Sequence, residues 1–243
     1  MIWRPVRRQI GCGLLVLLAS GMVQAHIPLT PSIVDDALDE IENARSAAES
    51  NTASRPTALY ELAIRATGLM DLLNQEVGLH GFEQRELLDA AVAAAADLGI
   101  EITWSEAHQR YFYRGAAYSR YLELVPDGLE AANSRFHLIE TGFYLSDTAN
   151  RAQLDARLAM SRDYLRLYPD TSNAERVAMF LAIDYRDLWR ICRAADEQAC
   201  ETRYAKLLRE HLNAVSTRYG EGKTGEMART LLARFEAELA NGS

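Results

Sequence analysis

Cys192 and Cys200, with seven residues between them in RICRAADEQACETRY, are the pair in this chain best spaced for covalent chemistry. The interval is too long for the C-x-x-C arrangement of a catalytic dithiol. Two readings remain: a structural disulfide, or two unpaired, partly buried thiols. The intervening residues read as a helix end, a short turn and a new helix start, so a bridge would staple adjacent antiparallel helices at their shared corner. Closing so short a loop contributes about 2–3 kcal/mol. The second chemically rich stretch is WSEAHQRYFYRGAAYSRYLELV, residues 104–125. Wound as a helix, it places Trp104, His108, Tyr111, Tyr118 and Leu122 on one side, with Tyr113, Ala117, Tyr121 and Leu124 nearly opposite. A helix apolar on both sides is sandwiched by neighbours, and its tyrosine hydroxyls then find partners at the edges of the layer. The alternative is that Tyr113 and Tyr121, with Arg114 and Arg120 beside them, line a groove for a peptide, since tyrosine and arginine are enriched at interface hot spots.

Other chemistry is poorly supported. His26 would be the mature N-terminus if a leader were cleaved after Ala25, and its amine and imidazole could then chelate copper. His80, His108, His137 and His211 offer no second ligand at metal-binding spacing, so no metal and no cofactor is expected. GEGKTG (220–225) contains Gly-Lys-Thr, but the residue five before Gly222 is Thr217, so the phosphate-binding loop pattern is not met. No G-x-S-x-G elbow or G-x-G-x-x-G turn is present.

The compartment is read from the first residues. Arg4, Arg7 and Arg8 form a basic head, Ile10 to Met22 an apolar run, and Val23-Gln24-Ala25 a cleavage signature. This is the grammar of a secretory signal peptide over residues 1–25. The run is shorter than the roughly 20 apolar residues a spanning helix needs. Cys12 falls at the start of the apolar run, whereas a lipoprotein cysteine follows it, so a cleaved leader and a periplasmic protein are expected. Losing three arginines leaves 23 basic against 34 acidic residues, a net charge of −11. Such a chain lacks the basic footprint that nucleic acid and anionic membranes require.

The elements that must position these residues are nearly all helical. Thr30-Pro31 caps a first helix, a second starts near Pro56, and Phe82 to Leu98 forms an alanine-rich third. Thr103 and Glu106 fit a capping box opening a fourth helix that runs to Val125. Helices follow over about 129–145, from Ser146-Asp147 to Tyr168, over 172–194 and over 197–219. The last carries Met227, Leu231, Leu232, Phe235 and Leu239 after the break at 220–225. No run shows convincing strand alternation. About nine helices on short links must pair as antiparallel hairpins.

One phrase recurs: YLELVPD at 121–127 and YLRLYPD at 164–170, a step of 43 residues. The likeness continues, with Ala131 opposite Ala174, Phe136 opposite Met179 and Leu138 opposite Leu181. YLRLYPDTSNAERVAMFLA (164–182), YLELVPDGLEAANSRFHLI (121–139) and a degraded RYGEGKTGEMARTLL (218–232), with Gly220 in place of proline, resemble the tetratricopeptide class. They are similar in particular to the repeats of bacterial envelope proteins such as BamD and CpoB. The resemblance covers about residues 104–240 and implies an all-α fold, a right-handed array of antiparallel helical hairpins forming a tetratricopeptide-like α-solenoid. A step longer than the usual 34 or so residues makes that array short and irregular. Residues 26–102 are expected to form loosely repeat-like hairpins, and 103–243 the repeats proper.

The resemblance implies protein or peptide binding in the envelope and transfers no catalytic residue. The expected function is therefore that of a non-catalytic periplasmic scaffold or protein/peptide-binding protein, with cell-envelope assembly or maintenance as its setting. The alternatives are an accessory or substrate-binding helical domain acting with cell-wall enzymes, and a helical bundle without an open groove.

Overall fold

A computed structural model describes residues 28–50, 52–146 and 150–240. The expected leader over 1–25, with Cys12, and the terminal His26 lie outside the described residues. So do residues 147–149, where the sixth helix was expected to start. The fold is all-α, with nine helices and one two-stranded sheet among the described residues. None of these helices is long and apolar enough to cross a membrane.

The first helix, α1 (Pro31–Glu49), begins as the Thr30-Pro31 pair dictates: the Thr30 hydroxyl accepts the Ile33 N–H at 3.4 Å. The lead-in is tied down as well, because the buried Glu76 carboxylate accepts the Leu29 N–H at 3.0 Å. Next come α2 (Arg55–His80) and α3 (Arg85–Asp97), then α4 (Ala116–Leu124) and α5 (Ala131–Leu145). The array closes with α6 (Arg151–Leu167), α7 (Ala174–Ala194), α8 (Gln198–Tyr219) and α9 (Lys223–Ala240). Asn150 caps α6, its side chain accepting the Gln153 N–H at 3.2 Å. Part of GEGKTG is helical, since Lys223, Thr224 and Gly225 form the first turn of α9.

The expected fourth helix is the main correction. Its first half is a β-hairpin, β1 (Ile102–Ser105) and β2 (Arg110–Tyr113), paired antiparallel with Ile102 opposite Tyr113 and Trp104 opposite Tyr111. Thr103 and Glu106 therefore cap no helix; Thr103 lies in β1 and Glu106 begins the turn. The reason is composition. Isoleucine, threonine, tryptophan, phenylalanine and tyrosine favour a pleated, half-buried surface over a helix. They flank a polar turn that Gln109 completes with φ 50°. Gly115, at φ 80°, then redirects the chain into α4.

Most helices pack in chain order: α1 on α2, α2 on α4 and β2, and then each of α4 through α8 on the next, while α3 lies against α1 and β1. In addition α7 touches both α5 and α9. Three apolar clusters result. The first draws on α1 through α4 and the hairpin, with Leu69, Leu73, Leu88 and Tyr118 nearly sealed from solvent, and it runs across the 102/103 boundary. A small one joins Phe136, Ile139, Tyr164, Val177 and Phe180. The third spans α6 through α9 around Leu188, Trp189, Leu208 and Phe235.

The recurring phrase has the same local structure both times. The Tyr121 hydroxyl accepts the Glu130 N–H at 3.2 Å, and the Tyr164 hydroxyl bonds the Thr171 hydroxyl at 2.9 Å. Each tyrosine thus pins the turn that follows its own helix. Five residues after Pro126, Pro169 and Gly220 stand Ala131, Ala174 and Gly225, all buried in a first helical turn. The degraded third copy keeps the small residue that the corner needs.

Candidate functional site

The hairpin redistributes the four residues expected to line a groove. Tyr113 ends β2, and its ring is buried; its hydroxyl accepts the Ala117 N–H at 2.9 Å, closing the step from strand to helix. Burial raises the Tyr113 pKa, against the pull of that hydrogen bond and of nearby Arg120. Arg114 turns back along the hairpin, pairing with Glu101 at 3.2 Å and donating to the Thr103 hydroxyl at 3.3 Å. Tyr121 is buried in a tyrosine cluster, its ring centroid 5.7 Å from that of Tyr60. Tyr113 and Arg120 therefore share one recess, while Arg114 and Tyr121 have structural roles elsewhere.

That recess has a volume of about 240 Å³ and lies where α1, α2, β2 and α4 converge. Leu59, Leu62 and Ile100 give it an apolar floor. Arg45, Arg55 and Arg120 stand around it against a single acid, Glu49. Arg45 is already engaged, with Glu42 at 3.2 Å and Glu49 at 3.7 Å. Arg55 and Arg120 have no ion-pair partner among the described residues, and the Nε of Arg55 is buried without a hydrogen bond. The first turn of α4, through Ala116 and Ala117, lines the same space, so the positive end of its dipole adds to the field.

A second concavity escaped the sequence reading. Between α7 and α9 runs a more open groove of about 480 Å³, with Met179, Ile183, Met227 and Leu231 as its apolar part. Met227 is 56% exposed, one of the more exposed large apolar side chains among the described residues. Arg186, Lys223 and Arg234 surround it against Glu226 alone. Arg186 has Asp187 at 3.7 Å; Lys223 and Arg234 have no ion-pair partner among the described residues. The groove was readable in part: Lys223, Met227, Thr230 and Arg234 recur at the 3.6-residue period of one helix face. Nothing in the sequence, however, says that α7 would lie alongside that face.

A third surface gathers Phe82, Trp104 and Tyr111. Their rings meet edge to face at centroid distances of 4.9 and 5.0 Å, beside Asp89 and Glu106.

Two further features are structural. Cys192 and Cys200 are joined in a disulfide at the α7–α8 corner. Glu197 lies beside both sulfurs, but they are bonded to one another, and Glu197 pairs with Arg151 at 2.8 Å. Deeper in, Arg157 of α6 and Asp184 of α7 form a two-pronged ion pair, 5% and 1% exposed. Arg157 also donates to the carbonyls of Gly142 and Phe143 at the end of α5. Burial pushes the Asp184 carboxyl up to about 6, although Arg157 pulls the other way. The pair ties three helices together from inside the core, sealed from any ligand.

No protein-family model matches the chain, and no curated protein matches it in sequence.

Proposed function

We propose that this chain is a non-catalytic, exported helical-repeat scaffold that binds a segment of another protein in the periplasm. In this reading its hairpins form a short, irregular, right-handed tetratricopeptide-like solenoid, and its work lies in cell-envelope assembly or maintenance. The observation that carries it is the α7–α9 groove: an apolar strip with Met227 exposed on it, ringed by three cations on a protein whose overall charge is −8. A basic rim on an acidic protein selects by charge, because the rest of the surface repels acidic partners while the rim draws them in. The ligand that fits is an acidic, amphipathic peptide segment whose apolar side chains cover Met227. The repeated turns support the same view, since stacked hairpins present grooves between like helices.

A photo-crosslinking residue at position 227, with one at exposed position 202 as control, tests this in intact cells. The expected result is one dominant adduct at 227 whose cross-linked segment is acidic. The adduct is lost in Lys223→Glu/Arg234→Glu and absent at 202. Adducts equally strong at both positions, or insensitive to the charge reversal, refute the reading. Mass spectrometry of the secreted chain checks the leader, with His26 expected as the first residue.

A second reading, an accessory domain that binds cell-wall material alongside an enzyme, draws on the Phe82–Trp104–Tyr111 surface. A half-buried tryptophan beside carboxylates offers both a flat apolar face and hydrogen-bond acceptors to a sugar. Retention on purified peptidoglycan that is lost in Trp104→Ala would favour it over the scaffold.

A further inference from the structure

We propose that the recess between α1, α2, β2 and α4 is a binding site for the terminal carboxylate of a polypeptide whose last residue is aliphatic. This recess is separate from the α7–α9 groove, and charge sets it apart. Two guanidinium groups, on Arg55 and Arg120, border one small cavity without an ion-pair partner among the described residues, while neighbouring Arg45 is held by Glu42 and Glu49. In an acidic chain, cations left unpaired around a concave space are available for an anion from outside. Most other arginines of this protein are spent on internal partners: Arg65 on Glu40 and Glu61, Arg209 on Glu236, Arg190 on Glu238. The fork of a guanidinium matches the two oxygens of a carboxylate.

Three more observations narrow the ligand. The buried Tyr113 hydroxyl accepts from Ala117, which leaves its own proton to donate. The first turn of α4 faces the cavity, and a helix start favours negative charge. The floor of Leu59, Leu62 and Ile100 is buried and apolar, unsuited to an ion carried by water alone. The little apolar surface these three present lies beside the arginines, where a small aliphatic side chain next to a carboxylate reaches both and a hydrated anion such as inorganic phosphate meets the arginines alone. Volume sets the size. At about 240 Å³ the cavity falls below the roughly 300–1,000 Å³ of pockets that enclose drug-sized molecules. It takes one terminal residue, not a long chain. Glu49 at the rim leaves the local balance at two net positive charges among the four lining ionic groups, enough for one carboxylate.

The test uses the full mature chain and N-acetyl-leucine as probe, with N-acetyl-leucinamide and inorganic phosphate as comparators, by calorimetry and amide chemical-shift mapping. N-acetyl-leucine is expected to bind saturably, shifting the amides of Gly99, Ala116 and Ala117, and the amide probe at least about tenfold more weakly. Arg55→Ala and Arg120→Ala should each lower affinity roughly tenfold. Arg120→Lys, which keeps the charge but not the fork, should fall between. Both arginines are at least partly exposed, so the variants are expected to fold, and circular dichroism verifies it. Arg114→Ala, which removes a cation outside the recess, should bind as the parent does. Absence of saturable binding, equal affinity for acid and amide, equal binding of phosphate, or unchanged affinity in both alanine variants would each overturn the proposal.

Discussion

Asn74 stands where a third strand would. Its side-chain amide donates to the Tyr111 carbonyl at 3.0 Å and accepts the Tyr111 N–H at 2.6 Å, so one side chain of α2 completes the outer edge of β2. Two-stranded hairpins are marginal by themselves, and an unpaired strand edge invites association with other chains. This one is held on one side by α2 and on another by α5, where His108 and Phe112 pack on Tyr144 at 4.9 and 5.1 Å.

Asn74→Ala leaves a backbone donor and acceptor of Tyr111 unsatisfied in a half-buried setting. The expected loss is about 1–3 kcal/mol in urea unfolding. Asn74→Leu should be no better, because the deficit lies in hydrogen bonding and not in volume. An Asn74→Ala midpoint within error of the parent would mean that water replaces the amide there.

The Arg157–Asp184 pair gives a pH dependence whose sign follows from burial. A folded pKa of about 6 exceeds the unfolded value of 3.8, so the folded chain holds the proton more tightly. The stability due to this group is therefore fully present below pH about 4 and is lost as pH rises through about 6, by on the order of 3 kcal/mol. Asp184→Asn should flatten that part of the stability profile. Arg157→Met, which strands a buried carboxylate, should cost about 3–5 kcal/mol at neutral pH, and Arg157→Met/Asp184→Leu should recover most of it.

Reduction of Cys192–Cys200, or the double alanine replacement, should lower stability by about 2–3 kcal/mol through freed loop entropy. Helix content should not change, since α7 and α8 also pack along their lengths and Arg151–Glu197 lies at the same corner. Circular dichroism with and without reductant, followed by denaturant titration, measures both.

Gly225→Ala should destabilise by about 1–3 kcal/mol. A Cβ there would lie 2.1 Å from the Gly220 carbonyl oxygen, and the backbone at that corner cannot yield cheaply. Gly68→Ala makes the opposite case: it is mid-helix in α2 with open space around it, and a gain of about 0.4–1 kcal/mol is expected. Thermal melts of the two variants should move in opposite directions.

The all-α class, the helix count and most boundaries were legible because apolar periodicity, Pro-Asp stops and the Thr30 cap are local signals. The corner disulfide was legible for the same reason, from eight residues of spacing. The hairpin was not. ITWS and RYFY are each four residues long, and aromatic residues suit a buried helix face as readily as a strand. What decides between them is Asn74, some 37 positions away, together with Gly115. The site residues fared likewise. Tyr113 and Arg120 share a recess only because a strand and a helix meet at Gly115, an arrangement no single helical wheel contains. The α7–α9 groove depends on which helices lie side by side, and spacing within one helix is silent on that.

The small aromatic cluster of Phe136, Ile139, Tyr164, Val177 and Phe180 lies between two much larger apolar bodies. A seam this thin makes the molecule mechanically two-part: strain applied at either end concentrates there before either larger core yields. Arg157, reaching from α6 to α7 and to the end of α5, acts as the rivet across that seam. Asp184 holds the rivet, so a change in its charge alters how stiffly the two halves move together.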